Sequence, residues 1–404
     1  MHVLFVHRSG SGQFAHLIGR LLGDGHEVTL VTESQAPARP GLTQLTYAPG
    51  VAAAASPLLQ ATDYHARTGE AVATVLSGLP RHDRPDLIVG HTGWGGLLFA
   101  KDALPRVPVL GYCEYFHNAE GADLDFDPRN PPSPAERRRI RLRNAAQLLT
   151  LEAIDSGYAP TRWQQRQYPA AYRGKIAVCH DGIDTQACKP DPEARFALPD
   201  GRTLRPGDPV VTFVARDLDP YRGYPQFMRA AAAVARRRPD TIIVAVGGDG
   251  SGYGRPRDDG RLWREVMLDE TGLGDRVVHI PWLAPEALVR LFQVSAAHVY
   301  LSVPFVLSWS ALEAMACGAL VIGSATPPVQ EVLSDSVNGL LAPFFDSDAL
   351  AETILAALAR GADLAHLRRA ARATVLARYE REACVDRQFG FVEGLALQPD
   401  EVFA

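Results

Sequence analysis

The pattern that most constrains the fold is a short, mostly apolar run followed by a helical stretch, repeated along the chain. Residues 2–6 include β-branched and aromatic side chains, which is typical of a buried strand, and residues 13–23 then carry apolar side chains at helical spacing. Residues 26–32 form the next strand-like run. Strands that alternate with helices predict a mostly parallel, doubly wound α/β sheet.

A stretch rich in Pro, Gly and Asp interrupts this pattern, and a second strand–helix series follows it. At 404 residues the chain is also too long for one ordinary hydrophobic core. We therefore expect an α/β protein with two Rossmann-like, doubly wound domains facing each other across a cleft. The expected parts are an N-terminal domain over 1–189, a linker over 190–208, a C-terminal domain over 209–375, and a helical segment over 376–404 that can return to the N-terminal domain.

Composition excludes several classes of protein. The net charge of −5 and the pI near 6.2 argue against a nucleic-acid-binding protein. The five cysteines form no CxxC pair and no His/Cys ligand spacing, so we expect reduced thiols, a cytoplasmic location and no metal site. No apolar run approaches the ~18 residues that a membrane-spanning helix needs.

The strongest candidate site lies where a strand ends near Ser302 and a helix begins near Trp309. The free N–H groups and the dipole of a helix N-terminus favour an anionic group such as phosphate. Glu313, about one turn into this helix, can accept hydrogen bonds from vicinal hydroxyls such as those of a ribose. An amphipathic core helix with an incidental surface glutamate would produce the same pattern.

Two further features follow strands of the second series. Arg216 and Arg222 lie six residues apart across a turn after the first of these strands, where they could clamp a diphosphate, although both could equally be solvated surface arginines. The glycine-rich loop over 247–252 follows a buried strand and would let the backbone approach a ligand closely. Glycines also make ordinary loops.

The N-terminal loop raises a different possibility. Gly10, Gly12 and Ala15 fit G-x-G-x-x-A, and Glu33 lies at the end of the second strand, as in a dinucleotide-binding fingerprint. This pattern supports an NAD-linked oxidoreductase as an alternative. Three residues, His7 to Ser9, separate the expected strand from the first glycine. A loop of this length favours a flexible lip at the edge of an acceptor site over the tight turn that binds a pyrophosphate.

An ordered series of motifs covers nearly the whole chain. Residues 159–185 resemble an "APS…KI.V..NGVD" stretch, residues 312–318 match "LEAMACG", and residues 338–343 resemble the segment that follows it. Together with Gly10 to Gly12 near the start, this series resembles the retaining family-4 (group 1) glycosyltransferases of GT-B fold.

The resemblance implies a nucleoside-diphosphate-sugar donor, UDP- or GDP-linked, in the C-terminal domain and no other cofactor. Arg216 and Arg222 would hold the diphosphate, although the family usually has lysine at the second place. Phe305 stands where the E-x7-E motif has its first glutamate, which leaves the identity of the donor sugar open. The donor-binding residues implied are Gly248, Ile280, Trp282, Phe305, Glu313 and the backbone N–H groups of Leu307, Ser308 and Trp309.

The resemblance also implies an acceptor side in the N-terminal domain. Glu114 ends the strand at which the family often has a histidine, and Glu114 or His117 would face the transferred sugar. A helix cap or a surface carboxylate is the alternative interpretation of these residues. His91 ends another strand at the same edge, although it could equally be a satisfied loop histidine. Gly10 and Gly12 would form the lip.

The function implied is transfer of a sugar, with retention, to a hydroxyl of a saccharide, lipid-linked or small-molecule acceptor. No carboxylate stands out as a nucleophile, which favours same-face attack by the acceptor, and two arginines can stabilise the leaving group without a metal. A sugar-nucleotide epimerase and a non-catalytic protein of the same fold remain alternatives.

A basic run from Arg137 to Arg143 is the last feature of note. Such a helix could lie on anionic lipid at the inner face of a membrane and present a lipid-linked acceptor. More often a run of this kind is a solvated helix face.

Overall fold

A computed structural model describes residues 1–35, 37–51, 56–250, 252–254 and 256–397. The chain forms two compact units, one of residues 1–182 together with the chain from Arg381 onward, and the other of residues 183–380. Each unit carries its own parallel sheet and its own buried core.

The first unit is built on a parallel sheet in the order β3-β2-β1-β4-β5-β6-β7. The order reverses between β1 and β4, and ligands of doubly wound folds bind at the carboxyl ends of the strands at such a point. The strands are β1 (His2–Ser9), β2 (Glu27–Ser34), β3 (Leu42–Thr46), β4 (Leu87–His91), β5 (Val109–Tyr112), β6 (Ser156–Ala159) and β7 (Ile176–Val178).

Helices cover this sheet, and the central strand β1 is buried from Val3 to Val6 because helices pack on both of its faces. The helices are α1 (Ala15–Gly23), α2 (Gln60–Ser77), α3 (Ala100–Ala103), α4 (Pro134–Arg143), α5 (Ala145–Ala153), α6 (Arg162–Gln167) and α7 (Ala170–Arg173).

The second unit repeats this plan in the order β12-β11-β10-β13-β14-β15, with the reversal between β10 and β13. The strands are β10 (Val210–Asp217), β11 (Ile242–Gly248), β12 (Val277–Ile280), β13 (Ala297–Tyr300), β14 (Val321–Ser324) and β15 (Leu340–Ala342). The helices are α8 (Tyr224–Arg237), α9 (Trp263–Thr271), α10 (Pro285–Val294), α11 (Trp309–Ala316), α12 (Pro327–Gln330), α13 (Ser347–Ala359) and α14 (Ala365–Arg378).

Residues 190–208, expected as a linker, instead belong to the folded part of the second unit. They form an antiparallel hairpin of β8 (Phe196–Ala197) and β9 (Thr203–Leu204), which turns at Gly201 with a φ of 90°. Phe196, Leu198 and Leu204 are buried in the same core cluster as Val210. The Pro, Gly and Asp residues of this stretch therefore form turns between buried apolar residues.

The last helix, α15 (Arg381–Ala396), packs on the first unit. Val385 and Val392 are buried in one core cluster with Leu17 and Leu21 of α1. Residues 376–380 remain with the second unit, where the Ile183 N–H donates to the Tyr379 carbonyl at 2.8 Å. The end of the expected segment, residues 398–404, lies outside the described residues. No described helix is both long and apolar enough to span a membrane.

Candidate active site

The second unit has a recess at the carboxyl ends of β10 and β13, where the strand order reverses. Loops after both strands line it, and this is the place at which doubly wound folds bind nucleotides. The lining residues include Arg216, Asp219, Arg222, Tyr253, Tyr300 and Ser308. Arg216, Arg222 and Ser308 of the predicted donor residues thus lie around one recess.

Arg222 is a buried cation whose hydrogen bonds are incomplete. Arg222 is 8% exposed. Its Nη1 donates to three oxygens: Tyr300 Oη at 3.1 Å, Ser302 Oγ at 2.8 Å and the Val306 carbonyl at 3.0 Å. Its Nε and Nη2 make no hydrogen bond to any described residue. Because a guanidinium carries five donors, the remaining ones are available to an anion in the recess.

The turn that holds Arg222 is set by its neighbours. Asp219 accepts a hydrogen bond from the Arg222 backbone N–H at 3.1 Å, and burial raises the pKa of the Asp219 carboxyl. Gly223 has a φ of 69°, and a Cβ there would lie 2.6 Å from the Cβ of Leu301. Glycine is therefore required after Arg222. Arg216, in contrast, is exposed and has no hydrogen bond or ion pair within the described part of the chain.

Glu313 lies on α11, a helix whose other side chains Leu312, Ala314 and Met315 are fully buried. Burial raises the pKa of the Glu313 carboxyl to about 7. No described residue donates a hydrogen bond to this carboxylate. A desolvated carboxylate without donors is costly in the absence of a ligand, so its position favours a partner with hydroxyl groups.

One of the three backbone N–H groups expected to bind the donor already has a partner within the protein. The Ser308 N–H, expected to meet phosphate or sugar, donates to Tyr300 Oη at 2.7 Å, while the Ser308 hydroxyl accepts from the Ser310 N–H at 3.4 Å. Tyr300 is the hydroxyl that Arg222 also contacts, so it ties the helix start to the arginine. The Leu307 side chain packs in the core, and Trp309 begins α11.

Phe305 belongs to an aromatic cluster with Tyr221 and Tyr253. It is 6% exposed, with its ring centroid 4.7 Å from that of Tyr253 and 5.9 Å from that of Tyr221. The Tyr253 ring also lies 5.7 Å from the Arg222 guanidinium carbon. Aromatic rings thus fill the position at which the family motif has its first glutamate.

The glycine-rich loop after β11 packs against the carboxylates at the end of β10. The Gly250 N–H donates to Asp217 Oδ1 at 3.1 Å, and a Cβ at Gly248 would lie 2.9 Å from the same oxygen. A Cβ at Gly252 would collide with Asp219 Oδ2. These glycines allow close packing within the protein, and Gly252 lines the recess. Ser251 of this loop lies outside the described residues.

The residues expected at a nucleotide base fall into two groups. The Ile280 side chain packs into the core with Val246, so it faces away from solvent. Trp282, two residues later, is 73% exposed and offers a ring face. The sequence predicted the strand end correctly, but burial decides which side chain is accessible.

In the first unit, Glu114 is the centre of a polar network at the reversal point of the sheet. It accepts from His91 Nε2 at 3.1 Å and from Gln13 Nε2 at 3.1 Å, and Gln13 in turn contacts His7 Nε2 at 2.8 Å. Burial opposes ionisation of Glu114, but the hydrogen bond and charge of His91 lower its pKa below the ordinary value. The His91 ring stacks on Trp94 with the centroids 3.7 Å apart.

The strand before the N-terminal glycine loop is longer than expected. β1 extends through Ser9, so Gly10 follows it directly, and the predicted separation of three residues is wrong. A Cβ at Gly12 would collide with the His7 ring. Glu33 accepts from Tyr64 Oη at 3.1 Å and pairs with Arg8 at 3.4 Å, so protein groups already contact the carboxylate that a ribose would use.

The backbone of His117 is bound by the residue that follows α4. Its carbonyl accepts from Asn144 Nδ2 at 2.7 Å, and burial lowers the pKa of its imidazole to about 3. The sequence did not predict that Tyr300 and Gln13 belong to these sites. Their roles depend on hydrogen bonds to Arg222 and Glu114 that only the structure shows. In the described residues no group of three or more His, Cys, Asp or Glu side chains is placed to hold a metal ion.

Comparison with known proteins identifies the family. Residues 24–188 match the model described as "Glycosyl transferase family 4 group", and residues 197–374 match "Glycosyl transferases group 1". A D-inositol 3-phosphate glycosyltransferase of a Mycobacterium species is 29% identical over 288 residues, which are 70% of this chain and 59% of that protein. The Mycolicibacterium smegmatis protein of the same name is 31% identical over 47% of this chain and 41% of its own length. The chain thus spans about three-fifths or less of the length of these relatives.

Solved structures agree on the fold. Sucrose-phosphate synthase from Thermosynechococcus elongatus superposes with a TM-score of 0.72 at 20% identity, covering 98% of this chain and 99% of that one. Anabaena HepE in complex with UDP and glucose superposes with a TM-score of 0.70 at 17% identity, covering 98% of this chain and 100% of that one. The chain belongs to the group 1, family-4 glycosyltransferases and has the GT-B fold.

Proposed function

We propose that this protein transfers a sugar from a nucleoside-diphosphate-sugar to a hydroxyl of an acceptor. The observation that carries the proposal is Arg222, a buried guanidinium with unpaired donors at the strand-order reversal of the second unit. An anionic leaving group would supply the missing acceptors. The matching family models and the glycosyltransferase names of the relatives support the same activity.

In the proposed reaction the bond from the anomeric carbon to the diphosphate breaks, and negative charge develops on the leaving oxygen. Arg216 and Arg222 would stabilise that charge, without a metal ion. The acceptor hydroxyl would attack from the same face and pass its proton to the leaving phosphate, so the product would retain its anomeric configuration.

The rest of the donor would be held by its nucleoside. The Glu313 carboxylate would accept hydrogen bonds from the two ribose hydroxyls, and Trp282 is the accessible aromatic ring for the base. HepE was solved with UDP and with UDP-glucose, which supports a UDP-linked donor over a GDP-linked one. The aromatic cluster at Phe305 would line the sugar site in place of a carboxylate.

The first unit would supply the acceptor side. Glu114, held by His91 and Gln13, is the proposed contact for the transferred sugar, since it is an ionised group at the strand-order reversal of that sheet. The loop of Gly10 and Gly12 would form the lip. His117 would contact the acceptor.

A peripheral membrane contact through α4 is a further part of the proposal. No side chain of this helix is buried, and Arg138, Arg139 and Arg141 have no ion-pair partner among the described residues, whereas Arg137 pairs with Glu120. Because α4 has no apolar face, such a contact would be electrostatic and would weaken as salt is added.

The test is a transfer assay with UDP- and GDP-sugars against a panel of acceptors, with EDTA present and with NMR assignment of the product's anomeric configuration. We expect one nucleotide-sugar to be consumed. Arg222→Gln should lower kcat/KM by at least a hundredfold, because a charge-assisted hydrogen bond to the leaving group is lost. Arg229→Gln is the matched control, since Arg229 is exposed and, within the described part of the chain, pairs with Glu270 alone.

The alternatives give different results in the same experiment. Binding of NAD in place of any nucleotide-sugar would overturn the proposal and point to the loop after β1. Interconversion of two nucleotide-sugars without an acceptor would indicate an epimerase. Tight nucleotide binding without turnover, for every donor and acceptor, would indicate a non-catalytic protein of this fold.

A further inference from the structure

Three aromatic rings adjoin the recess of the second unit and take no part in the proposed bond breaking. Tyr221 comes from the turn after β10, Tyr253 directly follows the glycine-rich loop, and Phe305 comes from the loop before α11. Their ring centroids lie 4.7 Å, 5.9 Å and 6.5 Å apart, which are separations typical of packed aromatic pairs. Three separate loops thus build one apolar surface, which we call the ring cluster.

The ring cluster lies beside the guanidinium that is proposed to hold the diphosphate. Arg222 directly follows Tyr221. Its Nη1 donates at 3.0 Å to the carbonyl of Val306, the residue after Phe305. The Tyr253 ring centroid lies 5.7 Å from the guanidinium carbon, and Tyr253 lines the recess and is 44% exposed. A sugar joined to a diphosphate at Arg222 would therefore lie within reach of an accessible ring face.

Two carboxylates of the recess hold the loop that carries Tyr253. Asp217 Oδ1 accepts from the Gly250 N–H at 3.1 Å, and the backbone of Tyr253 forms a hydrogen bond with Asp219. A Cβ at Gly252 would collide with Asp219 Oδ2, so the loop packs directly on this carboxylate. Both carboxylates thus bind the loop, and the side chain that the loop presents to the recess is an aromatic ring.

We propose that the ring cluster selects a deoxyhexose as the donor sugar, bound with its deoxy carbon against the rings. A ring face offers a hydroxyl no oxygen or nitrogen, so a hydroxyl held there would lose its hydrogen bonds to water. A methyl or methylene group in the same place would instead be stabilised by burial. The glutamate that the family motif has at Phe305 could accept a hydrogen bond from a hydroxyl, whereas phenylalanine cannot. That the sugar is carried by a nucleotide bound at Arg222 rests on the proposed function.

The test is calorimetric titration of the full chain with UDP, UDP-glucose and the UDP-glucose analogues that lack the 2-, 3-, 4- or 6-hydroxyl. We expect at least one deoxy analogue to bind roughly tenfold to a hundredfold more tightly than UDP-glucose, because an apolar pocket discriminates against an added hydroxyl over about that range. The ratio of the two dissociation constants is the quantity compared between variants, since any effect on the nucleotide cancels from it.

Two variants test whether the ring cluster causes the preference. Tyr253→Ala removes the accessible ring, so the ratio should fall by roughly tenfold. Phe305→Glu restores a carboxylate and should reverse the preference toward UDP-glucose, with circular dichroism to show that the variant folds. Phe345→Ala is the matched control, because Phe345 is a ring of the same unit with a similar exposed fraction of 39%, and it should leave the ratio unchanged.

UDP-glucose that binds as tightly as every deoxy analogue would overturn the proposal. Equal ratios in Tyr253→Ala and Phe345→Ala would also overturn it. Either result would leave the proposed sugar transfer in place, because UDP and the UDP-sugars would still bind. Absence of binding by UDP and by every UDP-sugar would instead contradict the proposed function, and the sugar preference with it.

Discussion

Glu313 and Arg222 lie in the same unit, and burial affects them in opposite ways. Arg222 is stabilised by three neutral acceptors, whereas no described residue donates to Glu313. Burying an ionised carboxylate without donors lowers the stability of the folded state. Such a residue is retained most readily where a ligand supplies the missing hydrogen bonds, which is the role proposed for the ribose hydroxyls.

The pKa of Glu313 gives a prediction with a definite sign. A carboxyl whose pKa is raised to about 7 from 4.5 holds its proton in the folded state, but not in the unfolded state, between these values. Stability is therefore lost as pH rises through that window. Glu313→Gln removes this loss, so we expect it to raise the free energy of unfolding at pH 8.5 by on the order of 1–3 kcal/mol, with no gain at pH 4.5.

The same variant should bind UDP roughly tenfold to a hundredfold more weakly, because hydrogen bonds to a charged acceptor contribute about 1.5–3 kcal/mol. Urea unfolding and calorimetric titration measure the two effects. The exposed Glu286→Gln of α10 is the control and should change neither quantity. A Glu313→Gln protein that is more stable at pH 8.5 yet binds UDP normally would remove Glu313 from the site.

At the scale of the element, the turn between β10 and α8 determines where Arg222 lies. Asp219 caps the turn, and Gly223 continues it with a positive φ directly against Leu301. The arginine is thus positioned by contacts with the residues that follow β13, more than seventy positions away. Displacing this turn should affect nucleotide binding and stability together.

Gly223→Ala tests that positioning. Alanine at a φ of 69° costs roughly 1 kcal/mol, and the collision with Leu301 should add about 1–3 kcal/mol. Gly272→Ala is a matched control, because Gly272 has a φ of 64° and a Cβ there would meet no heavy atom within 4 Å. We expect both variants to be less stable in urea, and only Gly223→Ala to lose UDP affinity. Equal losses of affinity would show that Gly223 does not position Arg222.

At the scale of the whole molecule, each unit carries its own core and its own strand-order reversal. The chain returns to the first unit only at its end, through α15. Two equivalent Rossmann-like sheets could each bind a nucleotide. We assign the nucleotide to the second unit, where Arg222 lines the recess at the reversal point and, among the described residues, none donates a hydrogen bond to Glu313.

Hydrogen exchange with UDP distinguishes the two sheets. A ligand at a hundredfold its dissociation constant adds about 2.7 kcal/mol of apparent stability. We expect added protection at residues 214–222 and 300–313, and none at residues 9–14. Arg222→Gln at the same UDP concentration should lose this protection. Protection confined to residues 9–14 would instead place the nucleotide on the first sheet.

Local pattern determined much of the fold and the main candidates for the site. Periodicity, the Pro-, Gly- and Asp-rich stretch and the chain length together predicted two α/β domains. The loop and helix at residues 302–313 were predicted at the end of a strand, where the structure has them. Arg222 lies after the first strand of the second series, as predicted, whereas Arg216 lies within that strand, one residue before its end. These predictions succeed because side-chain spacing along a helix or strand reports directly on which face is buried.

Only the tertiary structure decided which of these groups are accessible and which already have partners. Tyr300 accepts the hydrogen bond of the Ser308 N–H, and the Ile280 side chain is buried in the core. Residues 190–208 pack as a hairpin. No local pattern contains this information, because burial and hydrogen bonding there depend on residues far apart in the chain that folding brings together.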